Sequence, residues 1–333
     1  MTLDQFRLFL AVAVPCLIAA GVGYVLQHKG FPPVRWLSAL ISLWITLFLF
    51  MAMGLRGVPL LIRRWVREKP GVLLLLPLPL FLAWLVYHLG TMTGSYWWTA
   101  AVALYLWLPL IVVRLFPGRE DVPGWQDVCI VLALWMPVEW RLLHGAWYWP
   151  EGQGVAAFLV PTACIIMVLA LETGRGLKDT GFRFLVRRED WPPMVNNLNL
   201  ATLVVVPGGL LTGFLQWNPT GDALQVMGTF VGILLLVALP EELLFRGIMQ
   251  NLLQKALGRP WPALLLTSVI FGLSHFNNAA FPGGPVPDWR FMVFATFSGI
   301  FYGRVYRQTG GIFPGALIHT VMNTTWFHLL RGG

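Results

Sequence analysis

Three pairs of side chains at helical spacing, each with at least one polar member, interrupt the apolar C-terminal half of this chain. Glu242 and Arg246 stand four residues apart in VALPEELLFRGIMQ (237–250), with Glu241 beside them. Phe271 and His275 are four apart in SVIFGLSHFNN, and so are His319 and Asn323 in GALIHTVMNTTW. Residues four apart on a helix share a face. Glu242 and Arg246 therefore neutralise each other, whereas Glu241 points about 100° away and has no partner on its own helix. A charge at the centre of a membrane helix costs about 2.5–3.5 kcal/mol, so an ionisable residue there is first read as functional. A carboxylate without a partner is what taking a proton from water requires. Pro240 removes an amide donor and frees the carbonyl of Leu236, which predicts a kink or polar opening next to Glu241.

The other two pairs are less telling alone. A single histidine such as His275 is more often a satisfied core or interfacial residue than a chemical one. His319 and Asn323 suit a shared ligand, but equally an interhelical hydrogen bond worth about 0.6 kcal/mol. Their grouping is what carries weight: the three constellations fall between 241 and 323, on different helices. Of the six histidines, His28, His88 and His144 lie in loops or at segment ends, and His328 lies near the C-terminal end.

The elements that must position these groups are membrane helices. The 333 residues are 57% hydrophobic and 11% charged, with mean hydropathy +0.69. Soluble domains are about 25% charged. Apolar runs recur near 6–26, 36–55, 72–90, 97–116, 126–143, 155–171, 198–217, 223–254, 261–277, 289–306 and 312–330, which predicts an all-α polytopic transmembrane bundle of about ten or eleven spans. The fifth run contains Pro137, Glu139 and Arg141 and is the weakest. The 17 Trp and 7 Tyr suit interfacial belts. Stretch 56–71 carries Arg56, Arg63, Arg64, Arg67 and Lys69, and 172–197 carries Arg175, Lys178, Arg183, Arg187 and Arg188. With eleven spans these basic loops fall on one side, which predicts that they and the N-terminus are cytoplasmic and the C-terminus is not. The net charge of +8 belongs to this loop pattern and an anionic leaflet; no nucleic-acid motif accompanies it. Cys16, Cys129 and Cys164 are widely spaced and predict no disulfide framework. The polar stretch 172–197 divides the chain into an N-terminal multi-span module (1–190), with no role the sequence assigns, and a C-terminal catalytic membrane domain (191–333).

The motifs EExxxR, FxxxH and HxxxN, in that order within hydrophobic helices, resemble those of the CAAX protease and bacteriocin-processing (Abi) family, whose members resemble type II CAAX prenyl endopeptidases. The likeness covers roughly 198–330. It implies an intramembrane endopeptidase, expected in the bacterial inner membrane, acting on a membrane-associated protein or peptide. Glu241 and His275 would bind and activate water, His319 and Asn323 would stabilise the oxyanion, and Glu242, Arg246 and Phe271 would orient the site. Two His and a Glu could also form a zinc site with an open position. There is no HExxH, and Phe271 and Asn323 stand where second ligands would be, so no metal or other cofactor is expected. Two other classes remain open on sequence alone: a transporter with an intramembrane ionisable site, and a non-enzymatic immunity or scaffold protein.

Overall fold

The computed structural model describes residues 3–55, 57–92, 95–150, 155–279, 284 and 286–331; Arg56 of the first basic loop lies outside them. Among the described residues the chain is all helix, without a strand. It divides into two compact units, Met1–Lys178 and Asp179–Gly333.

The first unit contains α1 (Leu3–His28), α2 (Pro33–Met53), α3 (Gly57–Glu68), α4 (Leu78–Thr91), α5 (Trp97–Leu115), α6 (Trp125–Glu139) and α7 (Val160–Met167). Helix α7 continues at both ends as π-helix, over Val155–Leu159 and Val168–Gly174. This continuous segment is the buried centre of the unit, and α2, α5 and α6 pack on it. Polar tips inside the unit find backbone partners, as a dry interior demands. Trp84 Nε1 donates to the Ala146 carbonyl at 3.2 Å, and Tyr87 OH to that of Trp149 at 2.6 Å.

The second unit contains α8 (Trp191–Leu211), α9 (Ala223–Ile233), α10 (Leu239–Glu242), α11 (Asn251–Leu257), α12 (Pro260–Leu273), α13 (Trp289–Thr309) and α14 (Ile312–Thr325). Asp222 caps α9 by accepting from Gln225 N at 2.9 Å. Gly258 ends α11 in the left-handed region at φ +63°, two residues before Pro260 opens α12. Helix α13 packs along α12, α8 and α14. Its approach to α12 depends on Gly272, where a Cβ would stand 2.5 Å from the Met292 carbonyl oxygen.

Seven described helical stretches are long and apolar enough to cross a membrane: 8–28, 33–53, 70–91, 97–115, 155–174, 188–211 and 223–257. The protein is thus an integral, multi-pass membrane protein. The remaining apolar runs form helices that fall outside this set for identifiable reasons. Helices α6 and α12 have 15 and 14 residues, about 21–22 Å at 1.5 Å per residue, short of a hydrocarbon core of about 30 Å. Helix α13 has the length but carries Arg290, Arg304 and Arg307.

Candidate active site

The stretch 223–257 is not a uniform α-helix. Helix α10 is one short turn, LPEE, held between π-helical segments Leu234–Ala238 and Leu243–Gln250. The opening predicted from Pro240 thus takes the form of wide π turns on both sides of the glutamates, a distortion that recurs at functional sites.

Glu242 and Arg246 are fully buried, at 0% and 1% side-chain exposure, and their charged atoms lie 3.2 Å apart. Arg246 Nη2 donates to the Gly299 carbonyl at 3.2 Å. Its guanidinium carbon lies 4.4 Å from the Phe271 ring centroid and 5.4 Å from that of Tyr302, a cation–π cage. Phe271 therefore packs on the arginine that pairs with Glu242, and also lies edge-on to His275 at 4.8 Å.

His319 enters from α14. Its Nδ1 lies 3.1 Å from Glu242 Oε1 and its Nε2 3.7 Å from Glu241 Oε2. A carboxylate paired with arginine only accepts, so Nδ1 carries the proton and donates. The imidazole stacks on Tyr302 at 4.5 Å and 16°. Gly315, one turn earlier, admits the Glu242 carboxylate beside α14: a Cβ there would sit 3.1 Å from Oε2. Glu241 differs from its neighbour. Its side chain is 29% exposed, and its Oε2 is buried with no hydrogen-bond partner among the described residues.

His275 departs from the helical position expected for it. Helix α12 ends at Leu273, and His275 stands in the turn that follows, its N–H bonded to the Gly272 carbonyl at 3.1 Å. Its Nδ1 is 2.8 Å from the Phe271 carbonyl. A carbonyl cannot donate, so Nδ1 holds the proton and Nε2 keeps its lone pair. Ser274 Oγ donates to the same carbonyl at 2.8 Å. With Nδ1 also a donor, His275 does not serve Ser274 as a base. Glu241, His319 and Arg246 all lie within electrostatic reach of His275.

His275, His319 and Asn323 share one wall of a cavity of about 370 Å³. Asn323 makes no side-chain hydrogen bond with any described residue. Much of the remaining lining is apolar, with Val205, Phe214, Leu215 and Phe294 packed together and Phe291, Met322 and Trp326 against them. Glu241 does not line this cavity; it meets it through His319. The residues predicted for the site are thus brought together, in two layers: Glu242 and Arg246 behind, and His275, His319 and Asn323 in front, with Phe271 between the two, packed on Arg246 and lining the cavity, and Glu241 at the junction. Sequence reasoning missed Tyr302, whose ring supports both Arg246 and His319, and the polar residues Asn199, Thr202 and Ser298 that α8 and α13 add to the cavity. The small residues Ser298, Gly299 and Gly303 around Tyr302 were the available signal for a close helix contact.

Among the described residues no three His, Cys, Asp or Glu side chains are arranged to hold a metal ion. Glu242 is occupied by Arg246 and His319, whereas the Nε2 atoms of His275 and His319 are left facing away from these partners.

No curated protein and no solved structure is a match to the chain. Residues 223–325, which include Glu241, Glu242, Arg246, Phe271, His275, His319 and Asn323, match the family model described as type II CAAX prenyl endopeptidase, Rce1-like. Over these residues the second unit is thus similar, in its order of motifs and in its match, to the CAAX-type membrane endopeptidases.

Proposed function

We propose that the protein is an intramembrane endopeptidase that hydrolyses a peptide bond of a membrane-associated protein or peptide with water activated by Glu241 and His275. The observation that carries this reading is the buried, unpartnered Oε2 of Glu241, 3.7 Å from His319 Nε2 at the edge of an apolar cavity. That separation exceeds a hydrogen bond, so both atoms retain bonding capacity for a third group. His275 contributes an Nε2 lone pair on the cavity wall.

In the reaction, the water oxygen bonds to the scissile carbonyl carbon as its proton passes to Glu241. Negative charge collects on the former carbonyl oxygen. The Asn323 amide donates to it, and His319 does so at Nε2 when its ring carries both protons. Such a donor contributes about 2.7–4 kcal/mol in well-studied hydrolases. Collapse of the tetrahedral adduct breaks the C–N bond, and the proton held by Glu241 goes to the departing amine. Glu242 fixes His319 through Nδ1, and Arg246 holds Glu242. The apolar lining suits a lipid-modified or hydrophobic substrate tail; the matched family's printed name makes a prenylated C-terminal CAAX segment the first to try.

The test uses the full chain in proteoliposomes with a fluorogenic peptide ending in a farnesylated CAAX sequence, and its unprenylated counterpart. Glu241→Gln keeps the shape but cannot accept the proton; turnover is expected to fall at least 100-fold with the melting temperature unchanged. Retention of more than a few per cent of turnover refutes the assignment. Substrate binding with no cleavage by the wild type points instead to a scaffold.

A further inference from the structure

The first unit holds a second cavity, of about 330 Å³, that none of the chemistry above uses. Arg63, Arg67, Arg114 and Arg175 line it, with Glu120 as the one acidic residue in its wall. Arg175 is satisfied elsewhere. It is buried, pairs with Asp127 at 2.8 Å, and donates to the carbonyls of Pro117 and Val122. Its role is to build the wall. Arg63 and Arg67 both converge on Glu120, Arg67 at 2.8 Å, and Lys178 approaches the same carboxylate at 3.9 Å. Arg114 has no ion pair or hydrogen bond with a described residue. One carboxylate thus serves two arginines and a lysine while Arg114 is left over, and the cavity keeps an excess of positive charge that binding an anion would neutralise.

The helix that brings in Arg63 and Arg67 says where the cavity lies. Helix α3 has 12 residues, too few to cross a bilayer. It is amphipathic: Pro59, Ile62 and Val66 are buried, while Arg64 and Arg67 are exposed. Leu60, Leu61 and Trp65 are also exposed, at 56%, 47% and 48%. Arginines beside outward-facing Leu and Trp on a short helix are the pattern of an element lying in the membrane interface. Across the cavity, Arg114 is followed by the exposed Leu115 and Phe116 at the end of α5. Each cationic wall is therefore continuous with apolar surface.

We infer that this cavity binds the phosphate of an anionic phospholipid headgroup, held between Arg63 and Arg67 on α3 and Arg114 on α5, with the acyl chains along the exposed apolar residues beside them. A basic residue near a membrane surface contributes about 1 kcal/mol toward anionic lipid, and a cavity that brings Arg63, Arg67 and Arg114 together makes that contribution selective.

The experiment is lipid titration of the purified full chain in a neutral detergent, read by native mass spectrometry and by melting temperature. The probes are phosphatidylglycerol, phosphatidylcholine and inorganic phosphate. Phosphatidylglycerol is expected to bind at least ten-fold more tightly than phosphatidylcholine and to raise the melting temperature. Arg67→Gln/Arg114→Gln is expected to weaken phosphatidylglycerol about thirty-fold, equivalent to about 2 kcal/mol. Arg64→Gln is the control. It lies on the same helix but pairs with Glu68 at 2.9 Å and does not line the cavity. Equal binding of the two lipids, or equal weakening by the control, overturns the site. Saturation by millimolar inorganic phosphate, with no preference for the anionic lipid, overturns the lipid assignment in favour of a soluble phosphate ligand. Should Arg67→Gln/Arg114→Gln lower the melting temperature without lipid, Arg114→Lys, which keeps the charge, must retain the preference for phosphatidylglycerol.

Discussion

Replacing Arg246 by Met leaves Glu242 wholly buried, with His319 at 3.1 Å as its remaining polar partner among the described residues. It also leaves the Gly299 carbonyl without the donor it has at 3.2 Å. Stranding one member of a buried ion pair costs about 3–5 kcal/mol. In a unit of this size each kcal/mol moves the melting temperature by about 2–4 °C, so Arg246→Met should melt roughly 6–20 °C below the wild type. The informative comparison is Glu242→Gln/Arg246→Met. Gln keeps an oxygen to accept from His319 Nδ1 and carries no charge, so the double variant should melt above the Arg246→Met single. Tryptophan-fluorescence melts in detergent, arranged as a double-mutant cycle, measure this directly. Losses that simply add, or a double variant that melts below both singles, would mean that the carboxylate and guanidinium do not stabilise each other, and the layered description of the site would fail.

The front layer is tested separately. Asn323→Ala should lower kcat by about 100- to 1000-fold, the loss of one oxyanion donor, without moving the melting temperature; a change confined to KM would make it a substrate-binding residue instead. Exhaustive chelation of purified protein should leave turnover intact and zinc substoichiometric by elemental analysis. Stoichiometric zinc, with activity lost on stripping and restored by zinc, would recast Glu241, His275 and His319 as ligands. Gly272→Ala should cost about 1–3 kcal/mol, roughly 2–12 °C, because a Cβ 2.5 Å from the Met292 carbonyl must push α12 from α13; an unchanged melting temperature refutes that close approach.

Much of the back layer was legible because it is local. The i, i+4 spacing of Glu242 and Arg246 sets their pairing whatever surrounds them, and Phe271 and His275 meet for the same reason. The link from Glu242 to His319 spans 77 residues and has no local signature. The support that Tyr302 gives to His319 is equally invisible, since an aromatic at helical spacing reads as core. Hydropathy cannot separate π from α turns, because both present the same residues to lipid. The wide turns around LPEE follow from what packs beside them. Hydropathy also carried the second motif-bearing helix of the site through to 277, whereas α12 stops at Leu273. There the Ser274 hydroxyl and His275 ring nitrogen bond the Phe271 carbonyl and compete with the next helical turn. Of the span pattern, the long apolar runs were plain, and the short helices α6 and α12 were read as longer than they are.

The pairing of Glu242 with Arg246 within a single stretch also bears on the order of biosynthesis. A membrane protein is made from its N-terminus, so the segment 223–257 reaches the bilayer before α14 exists. Had Glu242 depended on His319 alone for compensation, it would have entered lipid as a bare charge, at about 2.5–3.5 kcal/mol. The arginine one turn away is synthesised four residues later and travels with it, so Glu242 arrives already paired. His319 then joins a carboxylate that is in place and oriented. In temporal order, therefore, the charge pair belongs to insertion first and to the reaction centre second, and the histidine completes a site that the nascent chain has carried into the membrane.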